Sequence, residues 1–488
     1  MTLRPMVAVW AEMAQTRPEQ PAVTVGRRPS ISWAELHRRS NRLARLLGEE
    51  GVAQGDFVTL MLPMSEFAIV GIIATLKLGA IPNPISAKLP GRERDELLAL
   101  VDPKVLISES EVVGRLCVTG EPGADYDDTD LPEVIAPSYK APTSGGSTGR
   151  PKLILSGQPA LIDDGDETML RRLGFPVDSC TLFPGPLYHN TALLGSIVSL
   201  SLRNHLVVEE KFDPELTLGL IDRHRVEYTI VVPTMMNRML ALPEEVRRSY
   251  DLSSLNAFVH NAAPCPPHIK RAWMDWIGPE KVFENYTATE HTAQTYCSGI
   301  EWLEHPGTVG RVVWGEMQIR DAEGTPLPAG EVGAIWWRRD EDTPRTFTYI
   351  GAENPDDPER WETVGDLGYF DEDGYLYLAD RRTDMIISGG ANIYPAEVEG
   401  ALTAHRLVVD SVVVGLPDED MGQLTHAIVQ IDPAGETPTS EELDAYMQTM
   451  LARYKCPRTY EFTTDQLRND AGKVRRTMLA AERAGGVR

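Results

Sequence analysis

Short apolar runs alternate with helical repeats through the first 240 or so residues, and this alternation constrains the fold more than any other feature of the chain. The segment WAELHRRSNRLARLLGEEG (residues 33–51) places apolar side chains at helical spacing and ends in Gly51. DFVTLMLP follows as a short buried strand, EFAIVGIIATLKLGAIPNPI as an apolar helix feeding another strand, and KVLIS as a further strand. The pattern resumes with HLVVEE, ELTLGLIDRHR, YTIVVPT and a helix through Met239. Strands separated by helices require crossover connections, which put helices on both faces of a mainly parallel sheet. The expected class is therefore α/β, with layered α/β subdomains in a large N-terminal region.

From about residue 310 the texture changes. GRVVWGEMQIRDAEGTPLPAGEVGAIWWR reads as short strands between Gly/Pro turns, predicting a small β-rich subdomain. Beyond Arg382 the order is helix (PAEVEGALTAH), strand (VVDSVVVGLP), strand (THAIVQID) and helix (SEELDAYMQTMLARY). This predicts a small α+β C-terminal domain. The expected division is 1–381 and 382–488. A chain of 488 residues with 42% hydrophobic content exceeds what one small core needs.

The net charge of −25 argues against a nucleic-acid binder, which needs a basic face, and against an anionic membrane surface. Five scattered cysteines, Cys117, Cys180, Cys265, Cys297 and Cys456, show no paired metal spacing and suit a reducing cytoplasm. No apolar run approaches the ~20 residues of a membrane span, and the N-terminus lacks the apolar core of a signal peptide.

The most informative stretch is Thr143-Ser144-Gly145-Gly146-Ser147-Thr148-Gly149-Arg150-Pro151-Lys152. Its glycines allow close backbone approach. Its hydroxyls add donors without bulk, so the loop can wrap a polyphosphate with N–H groups and a lysine. It is not a Walker A loop, because Pro151 separates Gly149 from Lys152 and Leu153 follows. A flexible linker is the plainer alternative, but the abrupt passage into Pro-Lys-Leu-Ile-Leu is that of a loop bounded by sheet.

This segment resembles the signature loop of adenylate-forming enzymes: acyl-CoA synthetases, peptide-synthetase adenylation domains and firefly-type luciferases. Further motifs follow in the family's order. Asn285-Tyr286-Thr287-Ala288-Thr289-Glu290 resembles Tyr-Gly-x-Thr-Glu, which implies that Tyr286 stacks near adenine, Thr289 contacts phosphate and Glu290 helps hold Mg²⁺. WETVGD (361–366) resembles Trp-x-x-Thr-Gly-Asp, which implies that Asp366 grips the ribose hydroxyls; Val364 replaces the usual Thr. Asp380-Arg381-Arg382-Thr383-Asp384 resembles the hinge, with Arg381 on the nucleotide. Ser388-Gly389-Gly390 would line the path of the thiol arm of CoA. Ala471-Gly472-Lys473-Val474-Arg475-Arg476 resembles the last motif, with Lys473 as the catalytic lysine.

The resemblance implies an ATP- and Mg²⁺-dependent ligase that forms an acyl-adenylate, releases pyrophosphate and hands the acyl group to CoA. Residues 144–149, Thr148 among them, Glu290, His189 and Lys473 would carry the first step, and Lys152 would support the phosphates. The small domain would then turn about residues 382–384. His260-Asn261-Ala262-Ala263-Pro264-Cys265-Pro266-Pro267 looks like the fatty-acid and bile-acid CoA-ligase branch, with Ala262 and Ala263 at the nucleotide, and His189 matches the position that gates the carboxylate. Thr287 stands where glycine is usual, and with His189, Asn190, Asn261, Ala288 and His291 it outlines a polar pocket. Burying those groups against an alkyl chain costs free energy, so a short, aromatic or hydroxylated acid is expected rather than a long fatty acid. An amine acceptor, or adenylation of nitrite for diazotisation, would use the same fold and ATP chemistry. A non-catalytic nucleotide-binding regulator is a third possibility, disfavoured by the presence of Glu290, Asp366 and Lys473. The expected oligomeric state is monomer or homodimer.

Overall fold

The computed structural model describes residues 3–145, 151–163, 170–171, 173–340, 343–354, 359–381, 384–389, 391–418, 421–469 and 472–484. The predicted alternation produces two parallel sheets. In one, the strands Pro21–Val25, His205–Val208, Cys180–Phe183, Tyr228–Val231, Ala257–His260 and Val282–Thr287 lie side by side, all parallel. In the other, Ile81–Pro84, Phe57–Met61, Val105–Ser108 and Cys117–Val118 are likewise parallel.

The helix Glu66–Lys77 is apolar on every side, and from Ala68 to Lys77 every residue is buried. A helix hydrophobic all round belongs in the core. This one packs against the amphipathic helix Trp33–Glu49 and strands of both sheets. The helix Asn190–Ser201 lies close on the large sheet because residue 195 is glycine. A Cβ there would stand 2.2 Å from the Phe183 ring. That close seating fixes where the helix N-terminus, Asn190, enters the site.

The β-rich segment extends the same large sheet. After Val282–Thr287 the neighbours turn antiparallel, running through Gln294–Ser298, Thr308–Trp314, Leu376–Arg381, Asp366–Phe370, Gly333–Arg338 and Glu316–Arg320. A separate antiparallel sheet joins Thr143–Gly145, Pro151–Ser156 and Phe347–Ile350. The C-terminal segments form their own sheet from Ile386–Ser388, Ala391–Ile393, Asp410–Asp418, Gly422–Gln430 and Thr459–Thr463, with a core around Ile393, Val398, Leu402, Ala427, Val429 and Leu443. No helix among the described residues is long and apolar enough to cross a membrane.

Candidate active site

The glycine loop joins two strands paired in register, Thr143 opposite Leu153 and Gly145 opposite Pro151. This is the sheet-bounded loop expected from its flanks. Ser144 and Gly145 lie on the first strand; Gly146, Ser147, Thr148 and Gly149 fall outside the described residues, as do hinge residues 382 and 383 and Gly390.

Lys152 leaves the loop and meets Glu290. Its ammonium stands 3.6 Å from Glu290 Oε1 and 3.6 Å from the centre of the Tyr349 ring. The Tyr349 hydroxyl donates to the same Glu290 oxygen at 2.6 Å. Burial, and then the negative charge of Glu290, push the Tyr349 phenol well above its usual range, so it stays a donor. Glu290 is buried, and among the described residues its Oε2 has no hydrogen-bond partner. A buried carboxylate with one oxygen held and the other open fits a Mg²⁺ ion that takes its remaining ligands from phosphate and water.

Tyr286 and Asp366 come together from distant parts of the chain, the hydroxyl donating to Asp366 Oδ2 at 2.7 Å. Tyr286 is the last residue but one of the strand Val282–Thr287 and rests its ring edge-on against Trp337 at 5.4 Å. Asp366 opens its strand directly opposite Arg381. Asn285, on the same strand as Tyr286, holds a buried Oδ1 that accepts no bond among the described residues. Such an orphaned acceptor fits an amino group of a bound base. The turn Ala288–His291 closes with His291 left-handed at φ 52°, and Ala262, beyond the strand Ala257–His260, is left-handed at φ 68°. Strained non-glycine residues of this kind concentrate at functional sites.

The expected pocket residues have definite partners. Thr287 turns its hydroxyl back to the Ala293 carbonyl at 2.9 Å, which commits its proton to its own turn and leaves the oxygen as an acceptor. Ala288 packs with the core around Trp337. His189 caps the helix Asn190–Ser201 without a side-chain cap bond, its ring against Tyr188. Asn261 Nδ2 donates to Thr191 Oγ1 at 3.3 Å, leaving its buried Oδ1 unpartnered among the described residues. Asn190 accepts a hydrogen bond from Lys140 at 2.5 Å.

Lys140 and Tyr349 were not foreseen. Tyr349 lies in Phe-Thr-Tyr-Ile, an ordinary strand pattern, and Lys140 in an irregular run before the loop. Neither carries a local signal, and only the sheet pairing of Phe347–Ile350 with Pro151–Ser156 brings Tyr349 to Lys152.

The Lys473 turn belongs to the C-terminal segments. Asn469 organises it, its side chain accepting from Lys473 N at 2.9 Å and its carbonyl from Gly472 N at 2.9 Å. Gly472, left-handed at φ 71°, lies beside Val232 and Thr234, where a Cβ would be in ordinary contact with Thr234 Oγ1 at 3.4 Å. The turn thus stands at the C-terminal end of the parallel strand Tyr228–Val231, the edge at which open α/β sheets bind ligands. Behind it, buried Glu399 receives Arg476 on both oxygens, Arg468 at 3.0 Å and Val413 N at 2.8 Å, while Arg476 also reaches Asp384 at 3.1 Å. Ser388 ends a strand of the C-terminal sheet and Gly389 follows it in a turn, Gly389 N donating to Met421 O at 2.8 Å.

The profile of the AMP-binding enzyme family matches residues 10–342, and that of its C-terminal domain matches residues 397–473. The chain belongs to the AMP-binding enzyme family. A feruloyl-CoA synthase of Amycolatopsis sp is 30% identical over 479 residues, covering 91% of this chain and 92% of the relative. Among solved structures, o-succinylbenzoate CoA synthetase from Bacillus subtilis, in complex with its acyl-adenylate, superposes with a TM-score of 0.81 at 26% identity, covering 98% of both chains. An amide bond synthetase from Marinactinospora thermotolerans superposes with a TM-score of 0.79 at 25% identity, covering 98% of this chain and 100% of that one. This AMP-binding enzyme is an adenylate-forming ligase, and its matched relatives include acid–CoA ligases.

Proposed function

We propose that this enzyme activates a short, aromatic or otherwise polar carboxylic acid with ATP and passes the acyl group to CoA. One observation carries the reading: Glu290, held through Oε1 by Tyr349 and Lys152 at the foot of the glycine loop, has no hydrogen-bond partner on Oε2 among the described residues. Beside it, Asp366 and Tyr286 offer a carboxylate and a ring to a nucleoside, as the family resemblance requires of them.

In the first step a carboxylate oxygen of the acid attacks the α-phosphorus of ATP, and pyrophosphate leaves. Glu290 would hold Mg²⁺, which supplies charge neutralisation at the phosphates. Lys152 and the N–H groups of residues 144–149 support the same phosphates, and Thr148 donates within that loop. Thr289, Arg381, Ala262 and Ala263 border the nucleotide. His189 orients the carboxylate, and Lys473 brings a cation to the charge that builds between carboxylate and α-phosphate. In the second step the CoA sulfur attacks the acyl carbon and AMP leaves. We place the domain boundary between residues 381 and 382, so that the C-terminal domain turns there, withdraws Lys473 and presents Ser388–Gly390 to the thiol arm. Five free thiols suit a cytoplasmic setting.

The polar lining of the pocket keeps a second acceptor in view, an amine that would yield an amide. The test measures AMP and pyrophosphate release over a panel of acids, with CoA, an aromatic amine and nitrite supplied separately. Acid-dependent AMP formation with a thioester product is expected. ATP turnover that ignores CoA with every acid overturns the CoA assignment.

A further inference from the structure

Three lysines are deeply buried in the N-terminal region, and two of them are fully accounted for. Lys77, 7% exposed, donates to Asn41 Oδ1, to the His37 carbonyl and to His37 Nδ1, using all three ammonium hydrogens. Lys270 pairs with Glu284 at 2.7 Å and faces the Trp302 ring. Lys140 differs from both. It is 4% exposed, yet its single hydrogen-bond acceptor among the described residues is the neutral Asn190 amide. No carboxylate among the described residues forms an ion pair with it. Glu290 acts on it only through its longer-range charge, and one Glu290 oxygen is already engaged by Tyr349 and Lys152.

Apart from the Tyr139 ring, whose centre lies 5.7 Å away, no further partner meets this ammonium among the described residues, and a buried cation so placed is unfavourable unless an anion joins it. Burial lowers the Lys140 ammonium to about 8, so it remains cationic at neutral pH. Its position says which anion is meant. Asn190 is the first residue of the helix that His189 caps, and the charge of Lys140 is felt by His291, next in sequence to Glu290. Lys140 therefore stands between the carboxylate-gating residue and the turn that carries the magnesium ligand. That is where the attacking oxygen must lie.

We infer that Lys140, with Asn190, binds the reacting oxyanion of the substrate, making the site selective for compact, strongly charged oxyanions such as short carboxylates. The inference rests on the acid-activating function proposed above. Because an ammonium rather than apolar surface supplies the affinity, acids without a long tail are sufficient ligands.

Lys140→Met removes the charge while keeping an unbranched side chain, and Lys140→Arg restores the charge. The expected result for Lys140→Met is a KM for acetate, benzoate and isophthalate raised by roughly 10- to 100-fold, the scale of a charged hydrogen bond. The KM for ATP should stay within about twofold, and Lys140→Arg should recover part of the loss. A thermal melt of the variant confirms folding. Three outcomes overturn the inference: unchanged KM for the acids, a rise in the KM for ATP instead (phosphate as the true anion), or a loss confined to isophthalate (a second carboxylate as the true anion). Calorimetric titration of acetate, benzoate and nitrite into ATP-free wild type and Lys140→Met separates the two proposals. Binding that vanishes in the variant supports the anion site even if no acid is turned over. Equal binding to both proteins removes the anion site even if acids are turned over.

Discussion

The nucleotide end and the acid end of the site handle their polar groups differently. At the nucleotide end each carboxylate is held by neighbouring side chains, Glu290 by Lys152 and Tyr349 and Asp366 by Tyr286, while Asn285 Oδ1 stays unpartnered among the described residues. At the acid end, among the described residues, Lys140 bonds one neutral amide and faces the Tyr139 ring at 5.7 Å, and Asn261 keeps an unpartnered buried oxygen. Groups that pair internally set a shape that exists before the ligand arrives, as electrostatic preorganisation requires. Groups left unpaired in a buried place mark where the ligand itself completes the bonding.

The largest expected effect tests a residue that serves both ends. Lys473→Ala should lower kcat for adenylate formation by roughly 10²- to 10³-fold, the scale for removing one transition-state donor, while ATP binding by calorimetry is retained. Unchanged pyrophosphate release would remove Lys473 from the chemistry. Asp366→Asn tests whether the two ends are separable. It should raise the KM for ATP by roughly 10- to 100-fold and leave the KM for the acid nearly unchanged; equal changes in both would merge the two ends into one network.

Tyr349→Phe sharpens the nucleotide end by deleting one hydroxyl bond to Glu290. A fall of about 3- to 10-fold in kcat/KM for ATP is expected, with a higher Mg²⁺ requirement in a metal titration. The smallest effect belongs to Lys77, the saturated counterpart of Lys140. Burial lowers its ammonium to about 7, with Asp130 partly opposing. Its folded value lies below its unfolded one, so from about pH 7 to 10 the unfolded chain binds more protons and stability rises with pH. The rise is at most about 1.4 kcal/mol per pH unit. Melting curves at pH 7, 8 and 9 should show this climb in the wild type and a flatter one in Lys77→Met, with kinetics at pH 7 little altered in either.

Much of the architecture was legible because it rests on local periodicity. The alternation through Met239 predicted parallel sheets, and parallel strands are what form. The Gly/Pro-punctuated run after residue 310 predicted short strands, and these form, but as an antiparallel continuation of the large sheet. Which edge a strand joins depends on pairing partners far along the chain. The ordered motifs singled out Glu290, Asp366 and Lys473, and the fold brings Glu290 to Lys152 and Asp366 to Tyr286. Thr287 shows the limit. Its hydroxyl proton goes to the Ala293 carbonyl, a bond that depends on how the chain returns after the turn and that no local spacing announces.

The sequence by itself determined the strand–helix order, the class of fold and the motif residues, since each follows from spacing along a few neighbouring residues. Only the tertiary structure decided that Tyr349 would steady Glu290, that the Gly472 turn would rest on Val232 and Thr234, and that Lys140 would be buried with Asn190 as its one hydrogen-bond acceptor among the described residues. These depend on which surfaces meet when sheets and helices pack. A lysine's charge has the same local pattern whether it ends in water or in a core, and burial alone makes it matter.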